Sequence, residues 1–73
     1  MSVREAIEQT AIERPDLITA TVIGRPKAWG ALAAHGVLTF RRLAGRPPTG
    51  PERSAIWAGL WSIAERWKSG SLR

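Results

Sequence analysis

Apolar residues recur every three or four positions through the segment 51–68, which is the spacing of one face of an α-helix. The main members of this stripe are Ile56, Leu60, Ile63 and Trp67. The stripe is wide, because Trp57, Trp61 and Ala64 lie beside them. A helix that is so apolar on one side is not stable alone in water. The pattern therefore predicts that the rest of the chain packs against 51–68.

The same helical period runs through residues 27–44 and continues through Gly36. The simplest interpretation is one helix with Gly36 on its buried side. A glycine inside a helix costs about 1 kcal/mol relative to alanine, which a close approach of another helix at that point would offset. The alternative interpretation breaks this helix at Gly36.

The segment 45–51, Gly-Arg-Pro-Pro-Thr-Gly-Pro, is the clearest loop in the chain. Thr49 and Glu52 have the spacing of a capping box, and Pro51 suits the first turn of the helix that follows. The loop therefore predicts that helices 27–44 and 51–68 form an antiparallel hairpin.

The N-terminal part predicts shorter helices. Ser2 and Glu5 form a first possible capping box, and the helix that they begin should end near Glu13, because Pro15 disfavours helical geometry at the residue before it. The segment 15–23 is rich in β-branched residues and is open to two interpretations, a short helix or a strand. We favour the helix, because a lone strand has no evident pairing partner.

Together these patterns predict an all-α fold: a small helical bundle built on the antiparallel hairpin of 27–44 and 51–68 and covered by one or two N-terminal helices. One domain, 1–68, is expected, followed by a frayed tail, 69–73. The predicted core consists of Ile7, Leu17, Ile18, Val22, Trp29, Leu32, Val37, Phe40, Leu43, Ile56, Trp57, Leu60, Trp61, Ile63 and Ala64.

The charge of the chain is unevenly distributed. Residues 1–16 hold two bases and four acids, a net of −2, whereas residues 17–73 hold nine bases and two acids, a net of +7. This asymmetry suggests an anionic partner for the middle of the chain. The competing explanation is that a basic composition only keeps a small protein soluble.

Catalysis, metals and cofactors find little support in the composition. There is no Cys, and His35 is the single imidazole, with no acid beside it in the sequence. Metal sites need several converging ligands, and the glycines match no phosphate-binding loop. Glu5 and Glu8 are neighbours on one helix, where a solvated face is the simpler explanation. We therefore expect no enzymatic activity, no metal and no cofactor.

Nucleic-acid binding is the first functional hypothesis, because phosphate contacts need clustered arginines. In the hairpin the candidate residues lie near the loop end: Arg41, Arg42, Arg46 and Arg53. Arg25 and Lys27 would form a second patch at the far end of helix 27–44. Residues 32–45 also resemble a helix-turn-helix motif, with a small residue, Gly36-Val37, a hydroxyl and then basic residues. The hypothesis is a small basic, non-catalytic regulatory protein, DNA-binding or otherwise, that contacts nucleic acid itself or a nucleic-acid-handling complex of the transcription type.

The second hypothesis is a protein adaptor or inhibitor that uses an apolar helix face rimmed by arginine. Helix 27–44 has apolar residues outside its main stripe, and these are the candidate contacts: Ala31, Ala34 and Leu38. An acidic protein partner fits this composition, and a homo-oligomer is open as well. No run of residues is long enough for a membrane span, and the charged start is unlike a signal peptide, so we expect a cytoplasmic protein without membrane contact.

Overall fold

The computed structural model describes residues 3–71, which form four helices and no strand. The helices are α1 (Val3–Glu13), α2 (Pro15–Val22), α3 (Ala28–Ala44) and α4 (Gly50–Ser71). Each helix packs against the other three, so the chain is a small all-α bundle, as the sequence predicts. Helix α4 continues past the predicted end at residue 68. Residues 72 and 73, and the Ser2 of the first capping box, lie outside the described residues.

The helical interpretation of 15–23 is confirmed. Pro15 stands in the first turn of α2, where its missing N–H leaves no hydrogen bond unmade, and Asp16 follows it at the positive end of the helix. Thr21 donates its hydroxyl to the carbonyl oxygen of Leu17 at 2.8 Å. The β-branched run is compatible with a helix, and the hydroxyl of Thr21 finds its partner one turn back.

Helix α3 is unbroken at Gly36, so the interpretation that places a helix-turn-helix in 32–45 is wrong. The predicted close approach is present instead. A Cβ atom on Gly36 would lie 2.8 Å from Leu60 Cδ1 and 2.9 Å from Ile56 Cγ2, both in α4. Helix α3 ends at Gly45, which takes the left-handed conformation at φ 74° and donates its N–H to the Arg41 carbonyl.

Helices α3 and α4 run antiparallel, as predicted. Trp29 near the start of α3 lies against Trp61 in the second half of α4, with ring centroids 5.3 Å apart. At the other end, Arg46 just after α3 reaches Glu52 at the start of α4. The predicted capping box is also confirmed: Thr49 N donates to Glu52 Oε1 at 2.9 Å, and Glu52 N donates to Thr49 Oγ1 at 3.3 Å.

Most of the predicted core is buried or half-buried. The fully buried large side chains are those of Phe40, Ile18, Leu32, Ile56, Leu60, Thr10 and Thr39. Three predictions are wrong: Leu43, Trp57 and Trp61 are 42%, 38% and 50% exposed. Leu43 lies in the last turn of α3, where fewer neighbouring turns remain to cover it. The two tryptophans lie on a flank of α4 that α3 covers only in part, since Trp61 meets Trp29 of α3 edge-on and still stays half exposed.

The small size of the packing residues lets the helices come close. Ala6 and Thr10 of α1 are fully buried, and the Thr10 hydroxyl is satisfied by the Ala6 carbonyl at 2.7 Å. Ala33 of α3 is also buried. None of the four helices combines the length and the apolar character that a membrane crossing requires.

Candidate functional site

Two of the four arginines predicted to contact nucleic acid are held in ion pairs. Arg42 donates to Glu13 Oε2 at 2.7 Å, and Arg46 donates through both terminal nitrogens to the two oxygens of Glu52, at 2.8 and 2.9 Å. The side chains of Arg42 and Arg46 stay about half exposed. These pairs cancel two of the four positive charges that the sequence places near the loop.

Arg41 and Arg53 carry the remaining positive charge of the set. The Arg53 guanidinium lies over the Trp57 ring, 5.6 Å from its centroid, in cation–π geometry. Arg41 is exposed, and among the described residues its guanidinium has no hydrogen bond or ion pair. It stands one helical turn beyond Leu38 on α3. Both arginines therefore border the flank that contains the exposed apolar side chains.

Glu13 is the centre of a polar cluster that joins α1 to α3. Gln9 and Arg42 donate to Glu13 Oε2, and His35 Nε2 lies 3.0 Å from Glu13 Oε1. Hydrogen bonds from Gln9, His35 and Arg42 lower the pKa of Glu13 from 4.5 to about 2. The carboxylate is therefore ionised at neutral pH and accepts a hydrogen bond from His35. The sequence gives no sign of this pair, because 22 positions separate its members.

Glu52 has a similar role at the hairpin loop. The guanidinium of Arg46, together with the backbone N–H of Thr49, lowers the pKa of Glu52 from 4.5 to about 2. The Arg46 guanidinium also lies over the Phe40 ring, 5.3 Å from its centroid. Arg46 thus ties the loop to both helices, and its geometry is that of a structural residue.

The lowered pKa values of Glu13 and Glu52 predict how the stability of the protein responds to acid. A lowered pKa in the folded state stabilises the protein above the unfolded value of about 4.5, and this stabilisation is lost as the pH falls toward about 2. We expect the urea midpoint, followed by circular dichroism, to fall over this range. Glu13→Gln and Glu52→Gln should flatten the response. Glu8→Gln is the control, because Glu8 pairs with Arg4 in an exposed contact. An unchanged acid response in both variants would contradict the assignment.

An apolar groove lies between α3 and α4. Its volume is about 640 Å³. It is lined by Trp29, Gly30, Ala33, Ala34, Val37, Leu38, Arg53 and Trp57. Small residues of α3 form one wall, and larger side chains stand at the edges. Leu38 is 60% exposed, and Trp61 lies just beyond the groove, where its ring meets Trp29 edge-on. This feature, which we call the α3–α4 groove, contains a basic residue and no acid.

The sequence predicts part of this groove. Ala34 and Leu38, predicted as partner contacts, both line it, whereas Ala31 is exposed but is not among the residues that line it. Arg53, predicted as a phosphate contact, stands at its edge. The contributions of Trp29 and Trp57 are missed, because their helical spacing assigns them to the core. The signal that could have found Trp57 is the excess of apolar residues in α4 over what one buried face needs.

Comparison with protein-family models, with curated proteins and with solved structures finds no match for this chain.

Proposed function

We propose that this protein is a non-catalytic protein-binding module, an adaptor or inhibitor that contacts its target through the α3–α4 groove. The observation that supports the proposal is the groove itself, an exposed apolar surface with arginine at its edge. Contiguous exposed apolar surface is uncommon on small soluble domains and is typical of interaction sites. A target that covers this surface removes it from water, which stabilises the complex.

The residue types at the groove are those that dominate binding energy in interfaces. Tryptophan and arginine are enriched among the residues whose loss weakens complexes most, and Trp57 with Arg53 supplies both in one stacked pair. Trp29 and Leu38 provide further apolar contact area on the α3 side. A rigid helical hairpin presents these side chains with little loss of conformational freedom on binding.

The charge around the groove suggests the chemistry of the target. The lining residues include Arg53 and no carboxylate, and Arg41 stands one turn beyond Leu38. A target that places apolar side chains in the groove and acidic side chains at its rim would be complementary in both respects. An amphipathic helix is the usual ligand of a groove between two helices.

Nucleic-acid binding remains a second proposal. The net charge of +7 over residues 17–73 and the exposed guanidinium of Arg41 favour it. The ion pairs of Arg42 and Arg46 reduce the local positive charge that phosphate binding needs. It ranks below protein binding because these pairs weaken the predicted patch, whereas the groove is formed by the fold.

The test is an affinity capture with three baits: the wild-type protein, Ala34→Arg and Ala31→Arg. Ala34→Arg fills the groove, and Ala31→Arg adds the same charge to the same helix outside it. We expect a protein that the wild type and Ala31→Arg retain and Ala34→Arg loses. Retention should survive salt of about 0.5 M, where exposed charges are largely screened. Equal capture by all three baits would overturn the proposal.

The nucleic-acid alternative is checked with a labelled random duplex and a labelled single strand. Binding followed by fluorescence anisotropy should collapse with salt and weaken in Arg41→Ala if phosphate contacts carry it. The Ala34→Arg variant should bind nucleic acid at least as well as the wild type, because it adds positive charge. The two proposals therefore respond in opposite directions to the same substitution.

A further inference from the structure

Four exposed residues of α4 follow one another at intervals of four positions: Arg53, Trp57, Trp61 and Glu65. Side chains with this spacing form a continuous ridge along a helix. The two tryptophans are 38% and 50% exposed, and both charged ends are exposed as well. We call these four residues the α4 ridge. It runs along the edge of the α3–α4 groove, which Arg53 and Trp57 also line.

The α4 ridge is complementary to itself under two-fold symmetry. A two-fold axis perpendicular to α4, passing between Trp57 and Trp61 on the ridge side, would place two copies of α4 antiparallel. Arg53 of each copy would then face Glu65 of the other, and Trp57 would face Trp61. A closed two-fold dimer needs this property, since each residue must fit the position that its own symmetry mate offers. Opposite charges at the two ends of an apolar pair satisfy the requirement.

We propose that a second copy of this chain occupies the α4 ridge and the adjoining groove, so that the free protein is a homodimer. Charge complementarity favours this occupant, because the two ends of the α4 ridge carry opposite charges. Glu13 and Glu52 cannot serve as the acids of such a contact, since both are already held by arginines of their own chain.

The area that a dimer needs extends the contact into the groove. A stable interface buries about 800 Å² on each partner, whereas a tryptophan supplies about 150–250 Å² when it is fully buried. Trp57 and Trp61 alone fall short of this area. The neighbouring apolar surface of the α3–α4 groove, with Leu38 as its most exposed member, makes up the difference.

Self-association would therefore regulate access to the groove. This consequence rests on the proposed function, whereas the dimer does not. A target protein and a second copy would compete for Trp57 and Leu38, so target binding would strengthen as the protein is diluted below its dimer dissociation constant. Such competition also protects the exposed tryptophans from non-specific contacts.

The experiment uses charge reversal in the full chain, with sedimentation equilibrium as the readout. Arg53→Glu gives a ridge with two acids, and Glu65→Arg gives a ridge with two bases. Each variant places like charges opposite each other at both ends of its homodimer, and we expect the dissociation constant to rise about tenfold or more. An equimolar mixture of the two variants restores both opposite-charge pairs and should form a heterodimer.

Two controls keep the result interpretable. The double variant Arg53→Glu with Glu65→Arg exchanges the charges and should dimerise like the wild type. Arg66→Glu reverses a charge on the opposite side of α4, beside Glu8, and should leave the dissociation constant unchanged. Circular dichroism establishes that each variant keeps its helical content.

Three outcomes would overturn the inference: a wild-type chain that stays monomeric up to about 100 µM, single variants that dimerise like the wild type, or a mixture that forms no heterodimer. A monomer that still captures a target through the groove would remove the dimer and leave the proposed function intact. A dimer that captures no target through the groove would support the dimer and overturn the proposed function.

Discussion

Phe40→Ala is expected to destabilise the protein by about 3–5 kcal/mol, the range for an aromatic side chain removed from a packed core. At roughly 0.05–0.15 kcal/mol per residue, a chain of 73 residues has a total stability of about 4–11 kcal/mol. The substitution therefore removes a large share of the stability and should leave a substantial unfolded population. Leu43→Ala, three positions further along α3, is expected to cost about 1 kcal/mol or less.

The difference between the two residues follows from their surroundings. Phe40 is fully buried in a cluster that includes Ile18 and Leu60, while Leu43 is 42% exposed. The Phe40 ring also supports the Arg46 guanidinium, which makes two hydrogen bonds to Glu52. Losing the ring leaves a cavity and removes the surface on which the loop contact rests.

The measurement is urea unfolding followed by far-ultraviolet circular dichroism, because this signal reports helix content. Leu43→Ala is the matched control, since it shortens an apolar side chain on the same helix. Thermal unfolding should give the same order, with Phe40→Ala melting far below both the wild type and Leu43→Ala. Equal losses in the two variants would mean that Leu43 is as well packed as Phe40, contrary to the structure.

The elements of the fold could be predicted because their limits are set locally. Pro15 ends one helix and begins the next, Gly45 stops α3, and the Thr49–Glu52 box starts α4. Each of these effects depends on residues at most four positions apart. The helical period through Gly36 is likewise a local pattern, and it predicts the close approach of α4 correctly.

The features that the sequence could not predict depend on residues that are distant along the chain. Glu13 meets His35 and Arg42 only after α1 has packed on α3. The charge that Arg42 offers to a partner is therefore reduced by a contact that no local pattern reveals. A count of arginines overestimates the positive surface for this reason.

The exposure of the tryptophans has a similar origin. The apolar positions of α4 cover more of its circumference than one neighbour can bury, and periodicity alone does not say which flank stays open. Trp57 and Trp61 are on the open flank, whereas Leu60 and Ile56 are on the covered one. Which flank is covered depends on where α1 and α2 pack. The candidate site follows from this tertiary arrangement. The sequence pattern indicates only that α4 has more apolar residues than one buried face needs.

Gly36→Ala and Gly30→Ala are expected to change stability in opposite directions. Alanine is favoured over glycine inside a helix by about 1 kcal/mol; the gain applies in full at Gly36 and in part at Gly30, which lies in the first turn of α3. At Gly30 a Cβ atom meets nothing within 4 Å, so the variant should be more stable by about 0.5–1 kcal/mol. At Gly36 the Cβ would lie 2.8 Å from Leu60 Cδ1 and 2.9 Å from Ile56 Cγ2.

The contact at Gly36 cannot be relieved by one small movement. Ile56 is β-branched and has little rotamer freedom in a helix, and both it and Leu60 are fully buried. Helices α3 and α4 must therefore move apart. Overpacking of this kind typically costs about 1–3 kcal/mol, which exceeds the stabilisation from the higher helix propensity of alanine. The urea midpoints of the two variants, measured beside that of the wild type, show whether each substitution raises or lowers the stability. A stabilised Gly36→Ala would mean that the hairpin has room at its centre and that helix propensity alone controls both sites.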